Sequence, residues 1–306
     1  MLRYALSRLV QAAVAILGVL TIVFVVMRFS GDPTLLLVPE GASKETVDAL
    51  RTSLGFDRPI LVQYLDYLSD LSRFDFGVSV VQRIPALDIV LSRVPYTAML
   101  AAGALVVAIG FGIPAGIAMA MDRGGWIDRA LGAVVLTGQS MPTFLSGILL
   151  ILVFGVMLGW LPTSGVGDAR ALVMPAVALG ALSMSTFARM TRIAVVDELP
   201  KDYVRAGQAR GLSRRGVVLR HVLRNAAIPV VTVAALEVGN LLAGAVIVET
   251  VFAWPGIGQL AIQSIQSRDF LVVQVIVLGI SAVYVLTSLA ADLVYGAIDP
   301  RIRLAR

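Results

Sequence analysis

The stretch of this sequence richest in usable chemistry is Asp202-Tyr203-Val204-Arg205-Ala206-Gly207-Gln208-Ala209-Arg210-Gly211-Leu212-Ser213. Pro200 suits a helix start, Gly211 suits the stop, and Ser213 can cap a second helix, so two short helices at a fixed bend are predicted. The first ends in small side chains, Ala206, Gly207 and Ala209, with Arg205 and Arg210 as charged flanks. Small residues let another protein approach closely, and a knob of this shape is what a partner could push on. A connection that is basic for topological reasons alone would have the same composition, and both readings stand at this point.

A second group lies in an apolar stretch. Glu237 is followed by Asn240 at i+3 and Gly244 at i+7, which places all three on one helix face. An ionisable group in such a setting is costly and marks either a pathway or a paired contact. It reads as a polar strip beside a water-filled conduit, or as a buried carboxyl hydrogen-bonded to a neighbouring helix. Gln139 and Ser140, just before Pro142, form a weaker version for which hydrogen bonding between helices is the simpler reading. Gly112 and Gly116 flank Pro114 and give a small-xxx-small packing face with a kink.

Other chemistry has no residues to carry it. The two lysines, Lys44 and Lys201, follow Ser43 and Pro200, so neither belongs to a Gly-Lys-Ser/Thr phosphate loop. The single histidine, His221, sits in the basic connection, which argues against an intramembrane His-based hydrolase or metal site. With no cysteine there is neither a disulfide nor a thiolate metal site. The chain is expected to bind no cofactor and no metal, and to have no catalytic residue.

The elements that must position these residues follow from composition. At 58% hydrophobic and 15% charged residues over 306 positions, with a mean hydropathy of +0.88, the chain is not a soluble domain. Six stretches approach the roughly 20 apolar residues needed to cross a bilayer: 9–27, 96–121, 131–158, 171–190, 227–248 and 270–295. The first has Arg3 and Arg8 ahead of it but no small-x-small cleavage pattern, and it reads as an uncleaved anchor. Residues 189–226 hold nine basic against three acidic residues, a balance of +6, so that loop is expected in the cytoplasm. Six spans then put both termini on the same side, including Arg301, Arg303 and Arg306 of the tail. Loop 29–95 carries nine acidic and six basic residues, a balance of −3, and falls outside. The net charge of +5 is therefore topological, and no nucleic-acid partner is implied.

That outer loop is expected to be helical in part. Val47, Leu50 and Leu54 follow a Ser43 cap at helical spacing, with Gly55 as terminator. A second helix after Pro59 carries Leu61, Leu65 and Leu68 on one face. The organisation is thus an anchor helix (1–28), an extracytoplasmic helical loop (29–95) and a five-helix core (96–306) with the basic loop at about 190–226.

Residues 202–229 resemble the signature cytoplasmic loop of type I ABC importer permeases, whose pattern is Glu-Ala-Ala, three residues, then Gly. On Gly211 the register makes Ala206 the first alanine, with Arg205 in place of the glutamate and Gly207 in place of the second alanine. These departures are similar to those of the dipeptide/oligopeptide/nickel branch. So are Gly31-Asp32-Pro33, Gly55-Phe56-Asp57-Arg58-Pro59, Asp75-Phe76-Gly77-Val78-Ser79, the run from Val248 through Trp254-Pro255-Gly256 to Gly258, and Arg268-Asp269. The likeness, strongest to the first permease subunit of a dipeptide transporter, extends over essentially the whole chain.

The resemblance implies an all-α integral membrane protein with about six transmembrane helices, located in the bacterial inner membrane. It makes Asp202, Tyr203, Arg205, Ala206, Gly207, Arg210 and Gly211 a coupling helix seated on an ATPase subunit. Glu237, Asn240 and Gly244 become candidate lining of the path, and Trp254, Pro255 and Gly256 open an amphipathic segment resembling the outer gate. The implied partners are a second permease chain, two ATPase subunits that bind ATP and Mg, an external substrate-binding protein and membrane lipid. The expected activity is import of di- or oligopeptides, with nickel or haem-like cargo also open. The alternative is an ion-coupled secondary transporter that uses Glu237.

Overall fold

The computed structural model describes residues 2–29, 38, 43–53 and 55–298. Among them there is no strand, only one isolated antiparallel bridge between Val78 and Pro85. Helix α1 is Leu2–Phe29, and two short helices follow, α2 (Lys44–Ser53) and α3 (Ile60–Ser72). The long helices are α4 (Ala86–Met121), the pair α5 (Trp126–Ser140) and α6 (Thr143–Leu150), and α7 (Val173–Glu198). The knob is α8 (Asp202–Ala209) and α9 (Arg214–Val217), then come α10 (Leu223–Val251), α11 (Ile257–Gln266) and α12 (Phe270–Ile298). A π-helical turn, Ile151–Met157, extends α6, and another, Val218–Val222, joins α9 to α10.

Helical segments occupy all six predicted stretches, with two departures. Among the described residues, three helices are long and apolar enough to cross a bilayer by themselves, with a bent pair as a fourth; α1 contributes a shorter apolar run, Ala13–Val26. The stretch 131–158, read as one span, is broken by 108° between α5 and the segment Thr143–Met157. Pro142 has no N–H to donate and clashes with a helical predecessor. Met141 accordingly adopts φ −86°, ψ 124°, and the helix restarts after Pro142. The second departure is α4, which begins ten residues before 96 and runs through Pro95. Ala86, Ile89 and Val90 are all buried there, and this burial outweighs the single hydrogen bond that Pro95 removes.

The chain packs as two compact units, Met1–Val94 with Leu260–Ala282, and Pro95–Gln259 with Val283–Arg306. In the first, Phe24 of α1 meets Tyr64 and Tyr67 of α3 at ring separations of 5.2 and 5.5 Å, and the Thr21 hydroxyl lies 2.6 Å from that of Tyr64. The aromatic face of α3 is thus its packed face, while Leu61 and Leu65 are exposed. Ser43 caps α2 as expected, its Oγ accepting from Thr46 N. The Gly31-Asp32-Pro33 motif, Leu54 and the basic tail lie outside the described residues. Buried Asp269, ahead of α12, accepts hydrogen bonds from the Ser79 hydroxyl and from Val81 N.

The second unit is organised on α7, of which thirteen residues are buried. Helix α4 crosses it at backbone contact: a Cβ on Gly116 would lie 2.4 Å from Ala188 O, and one on Gly180 2.6 Å from Ala104 O. Lipid offers no hydrophobic drive for helix association, so this close approach and its dispersion contacts hold the pair. Toward one end Leu100, Ala104, Met174, Leu179, Leu241, Val248, Phe252 and Trp254 form a core; toward the other, Ala120, Val195, Val204, Val217, Val218 and Val222 form a second.

Candidate functional site

The knob is built on that second core. Val204 is 2% exposed and anchors α8 among Val195, Val217 and Val222. Gly207 also faces inward, where a Cβ would stand 3.2 Å from Val217 Cγ2. The opposite face, Asp202, Arg205, Ala206 and Ala209 at helical spacing, is exposed, as are Arg210 and Gly211. Gly211 holds φ +85°, the left-handed conformation that ends α8, and Ser213 Oγ accepts from Gly216 N to start α9. Arg205 curls back to Pro200 O and toward Asp202 at 3.5 Å. Glu198 fixes the hinge, accepting from Tyr203 Oη at 2.7 Å and pairing with Lys201 Nζ at 2.5 Å. Burial, with Glu198 next to it, holds the Tyr203 phenol above its ordinary range. The result is an exposed face carrying Ala206 and Ala209, backed by a buried valine cluster.

Glu237 lies on α10 at 7% exposure, and its Oε2 accepts from Ser183 Oγ of α7 at 2.7 Å. The two line a pocket of about 180 Å³ together with Thr143, Thr186, Asn240 and Gly244. The structure therefore brings Glu237, Asn240 and Gly244 to one cavity. Gln139 and Ser140 do not join it: Gln139 Oε1 accepts from Arg189 Nη1 at 2.8 Å, and Ser140 is exposed at the α5–α6 bend.

At the opposite end of α10 the Trp254-Pro255-Gly256 turn is tightly fixed. Trp254 is 1% exposed and donates through Nε1 to Tyr96 O at 2.9 Å. Glu249 is fully buried; its Oε1 accepts from Thr97 Oγ1 at 2.6 Å, and its Oε2 accepts from Gly258 N at 2.7 Å and Gln259 N at 3.0 Å. Thr97 Oγ1 in turn accepts from Ile257 N at 2.8 Å. The carboxylate caps the first turn of α11, where free N–H groups and the helix dipole favour negative charge. A Cβ on Gly256 would overlap the Glu249 carboxyl group, so a side chain there would displace that group from its donors. On α11 itself Leu260 is buried, whereas Ile265, about 140° further round the helix, is exposed.

Glu249, Thr97 and Ser183 are functional candidates that spacing alone does not single out. Glu249 stands in the quoted motif, but its partners are 9 to 152 residues away. A further pair, Arg192 with Asp128, is bidentate at 2.7 Å for both bonds and ties α7 to the first turn of α5. Only the position of Asp128, just after the Asp122–Gly125 turn at a helix start, signalled it.

Residues 112–304 match the binding-protein-dependent transport system inner membrane component, and residues 1–101 match the amino-terminal part of such membrane components. The chain is 41% identical over 305 residues to the glutathione transport system permease protein GsiC of Escherichia coli, covering 99% of both chains. It is 41% identical over 304 residues to the GsiC of Salmonella choleraesuis, with the same coverage. Two inward-facing structures of the MetNI methionine ABC transporter superpose with TM-scores of 0.55 and 0.58 at 20% and 23% identity, each covering 69% of this chain and 96% of that one. This likeness supports the type I permease fold. It is a permease subunit of an ABC importer, and the ion-coupled secondary-transport reading gives way. The chain belongs to the family of binding-protein-dependent transport system inner membrane components.

Proposed function

We propose that this subunit forms half of a peptide-translocation pathway, completed by a second and different permease chain, and that it takes up force through α8. One chain of this size encloses too little to surround a central path, which is the reason for a second subunit. Two ATPase subunits would bind ATP and Mg, since this chain offers no phosphate loop, and an external binding protein would deliver the substrate. Both termini and the knob would then face the cytoplasm, following the +6 balance of residues 189–226. The substrate class is short peptides, which includes the glutathione named for the relatives. ATP-driven closure of the ATPases would draw the coupling helices together and rock the long helices between inward- and outward-facing states.

The observation that carries this reading is the two-sided character of α8: Val204 and Gly207 hold it on the core, while Ala206 and Ala209 leave a smooth exposed face between Arg205 and Arg210. Because the chain has no cysteine, a single Ala206→Cys change gives one unique crosslinking site. In the complete transporter it should crosslink to an ATPase subunit, and Ala206→Trp should abolish ATP-dependent peptide uptake while the subunit still assembles. Labelling of residue 206 from outside the cell, or peptide transport by this chain alone in vesicles, would overturn the assignment.

A further inference from the structure

Glu237 presents an imbalance that the fold does not resolve. It is 7% exposed, and among the described residues only one of its oxygens has a donor, the neutral hydroxyl of Ser183. Among the described residues no Lys, Arg or His pairs with it. Buried carboxylates are ordinarily matched by a cation and further hydrogen bonds, because one neutral donor does not replace the hydration they lose. Glu237 and Ser183 both line the pocket of about 180 Å³, whose other polar walls are Thr143, Thr186 and Asn240 and whose apolar walls are Leu179, Leu182 and Leu241. All the polar partners offered there are hydroxyls or an amide, groups that accept hydrogen bonds from a cationic donor as readily as they donate.

From this arrangement we infer that the pocket is a transient binding site for the amino terminus of a peptide, with the Glu237 carboxylate receiving the substrate's ammonium group. The inference rests on the peptide-permease reading and gives it a substrate feature. An ammonium carries three donors; Glu237 supplies the charge, and Thr143, Thr186 or Asn240 can accept the remaining hydrogen bonds. The volume corresponds to about six waters, room for one terminal residue and not a whole oligopeptide, so the rest of the substrate would extend along the path. Ser183, donating to Oε2, holds the carboxylate in place and leaves Oε1 for the ammonium group. A site of this kind should bind weakly, because a carrier must release what it passes on.

The test uses the whole transporter, both permease chains and both ATPases, in lipid nanodiscs without the binding protein, so that receptor selectivity does not enter. Dialanine and N-acetyl-dialanine are titrated and followed by saturation-transfer NMR. Dialanine should bind about ten- to a hundredfold more tightly than the acetylated probe, the range expected for a hydrogen bond to a charged group. Glu237→Gln, which keeps the shape and the Ser183 bond, should bring the two probes to the same affinity. Equal affinity for both probes in the unaltered complex overturns the inference without any variant, as does full discrimination in Glu237→Gln or competition by sodium ions alone. ATP-driven peptide uptake by the complete system separates the two levels. If uptake occurs and discrimination is absent, the amino-terminus site fails while the permease reading stands; if no uptake occurs, the permease reading itself fails.

Discussion

Thr97 and Glu249, 152 residues apart, meet side chain to side chain at 2.6 Å in a fully buried setting. Through that one contact the start of α11, the end of α10 and the early part of α4 share a single carboxylate. Glu249 reaches Gly258 N and Gln259 N, and Thr97 reaches Ile257 N, so three consecutive free N–H groups at the head of α11 are satisfied. In a bilayer-embedded chain no water substitutes for such partners. The turn through Trp254 and Gly256 is therefore fixed to α10 and does not swing independently of it.

Removing the acceptor should be costly in proportion to the donors left behind. Glu249→Ala strands two backbone N–H groups and the Thr97 hydroxyl, an expected loss of roughly 2–4 kcal/mol. Glu249→Gln keeps one acceptor oxygen for the helix head and should lose about 1 kcal/mol. Thermal unfolding of the purified transporter ranks the two; equal losses would mean that the position needs the charged carboxylate with both acceptor oxygens, because Gln keeps the volume and one acceptor and would then have recovered nothing.

The crossing of α4 and α7 makes a sharper stability claim. Gly116→Ala would put a methyl 2.4 Å from Ala188 O and 2.7 Å from Thr191 Cβ, so the helices must part. Overpacking of this kind costs about 1–3 kcal/mol, and more where backbone is the obstacle. Gly110→Ala on the same helix meets nothing within 4 Å and should be neutral or slightly stabilising. The paired melting temperatures of these two variants decide whether the crossing is held by close approach.

The contrast between local and distant determinants explains what was readable in the residues. Pro200, Gly211 and Ser213 specify the bent knob through rules that act within a few positions, and the structure shows helices at Asp202–Ala209 and Arg214–Val217. The shared face of Glu237, Asn240 and Gly244 follows from helical spacing alone. The 108° break at Pro142 escaped the hydropathy reading because apolar character says nothing about backbone dihedrals, although Pro142 itself was in view. Ser183 and Thr97 are ordinary hydroxyl residues in apolar runs, and only the fold puts them against Glu237 and Glu249. Gly207 looked like part of the exposed small face; the packing of Val217 against it could not be read from composition.

The proposed coupling through α8 predicts a separation of two activities. Val204→Ala removes two methyl groups from the cluster under α8, a loss of about 1–3 kcal/mol confined to the knob. The ATPases should continue to hydrolyse ATP while peptide uptake per ATP falls several-fold, because a loosened α8 yields instead of transmitting force. Measuring uptake and hydrolysis on the same vesicles gives the ratio; a parallel fall in both would place Val204 in general stability and not in coupling.

Tyr67 gives a prediction in pH for the unit containing α2 and α3. Its hydroxyl is buried beside Phe24 and Tyr64, and burial away from water pushes the phenol up to about 12, against the opposing pull of Gln274 next to it. Unfolded, the group titrates near 10. Raising the folded value means the folded state holds the proton more tightly, so the contribution is fully present below about 10 and is lost as the pH rises toward 12. Across the neutral range Tyr67 should therefore add no pH dependence. Between 10 and 12 the melting temperature should fall more steeply in the unaltered protein than in Tyr67→Phe, which has no proton to lose. The phenolate absorbance should correspondingly lose its latest-titrating component in the variant. Identical profiles for both proteins would show that α3 does not shield this side chain from water.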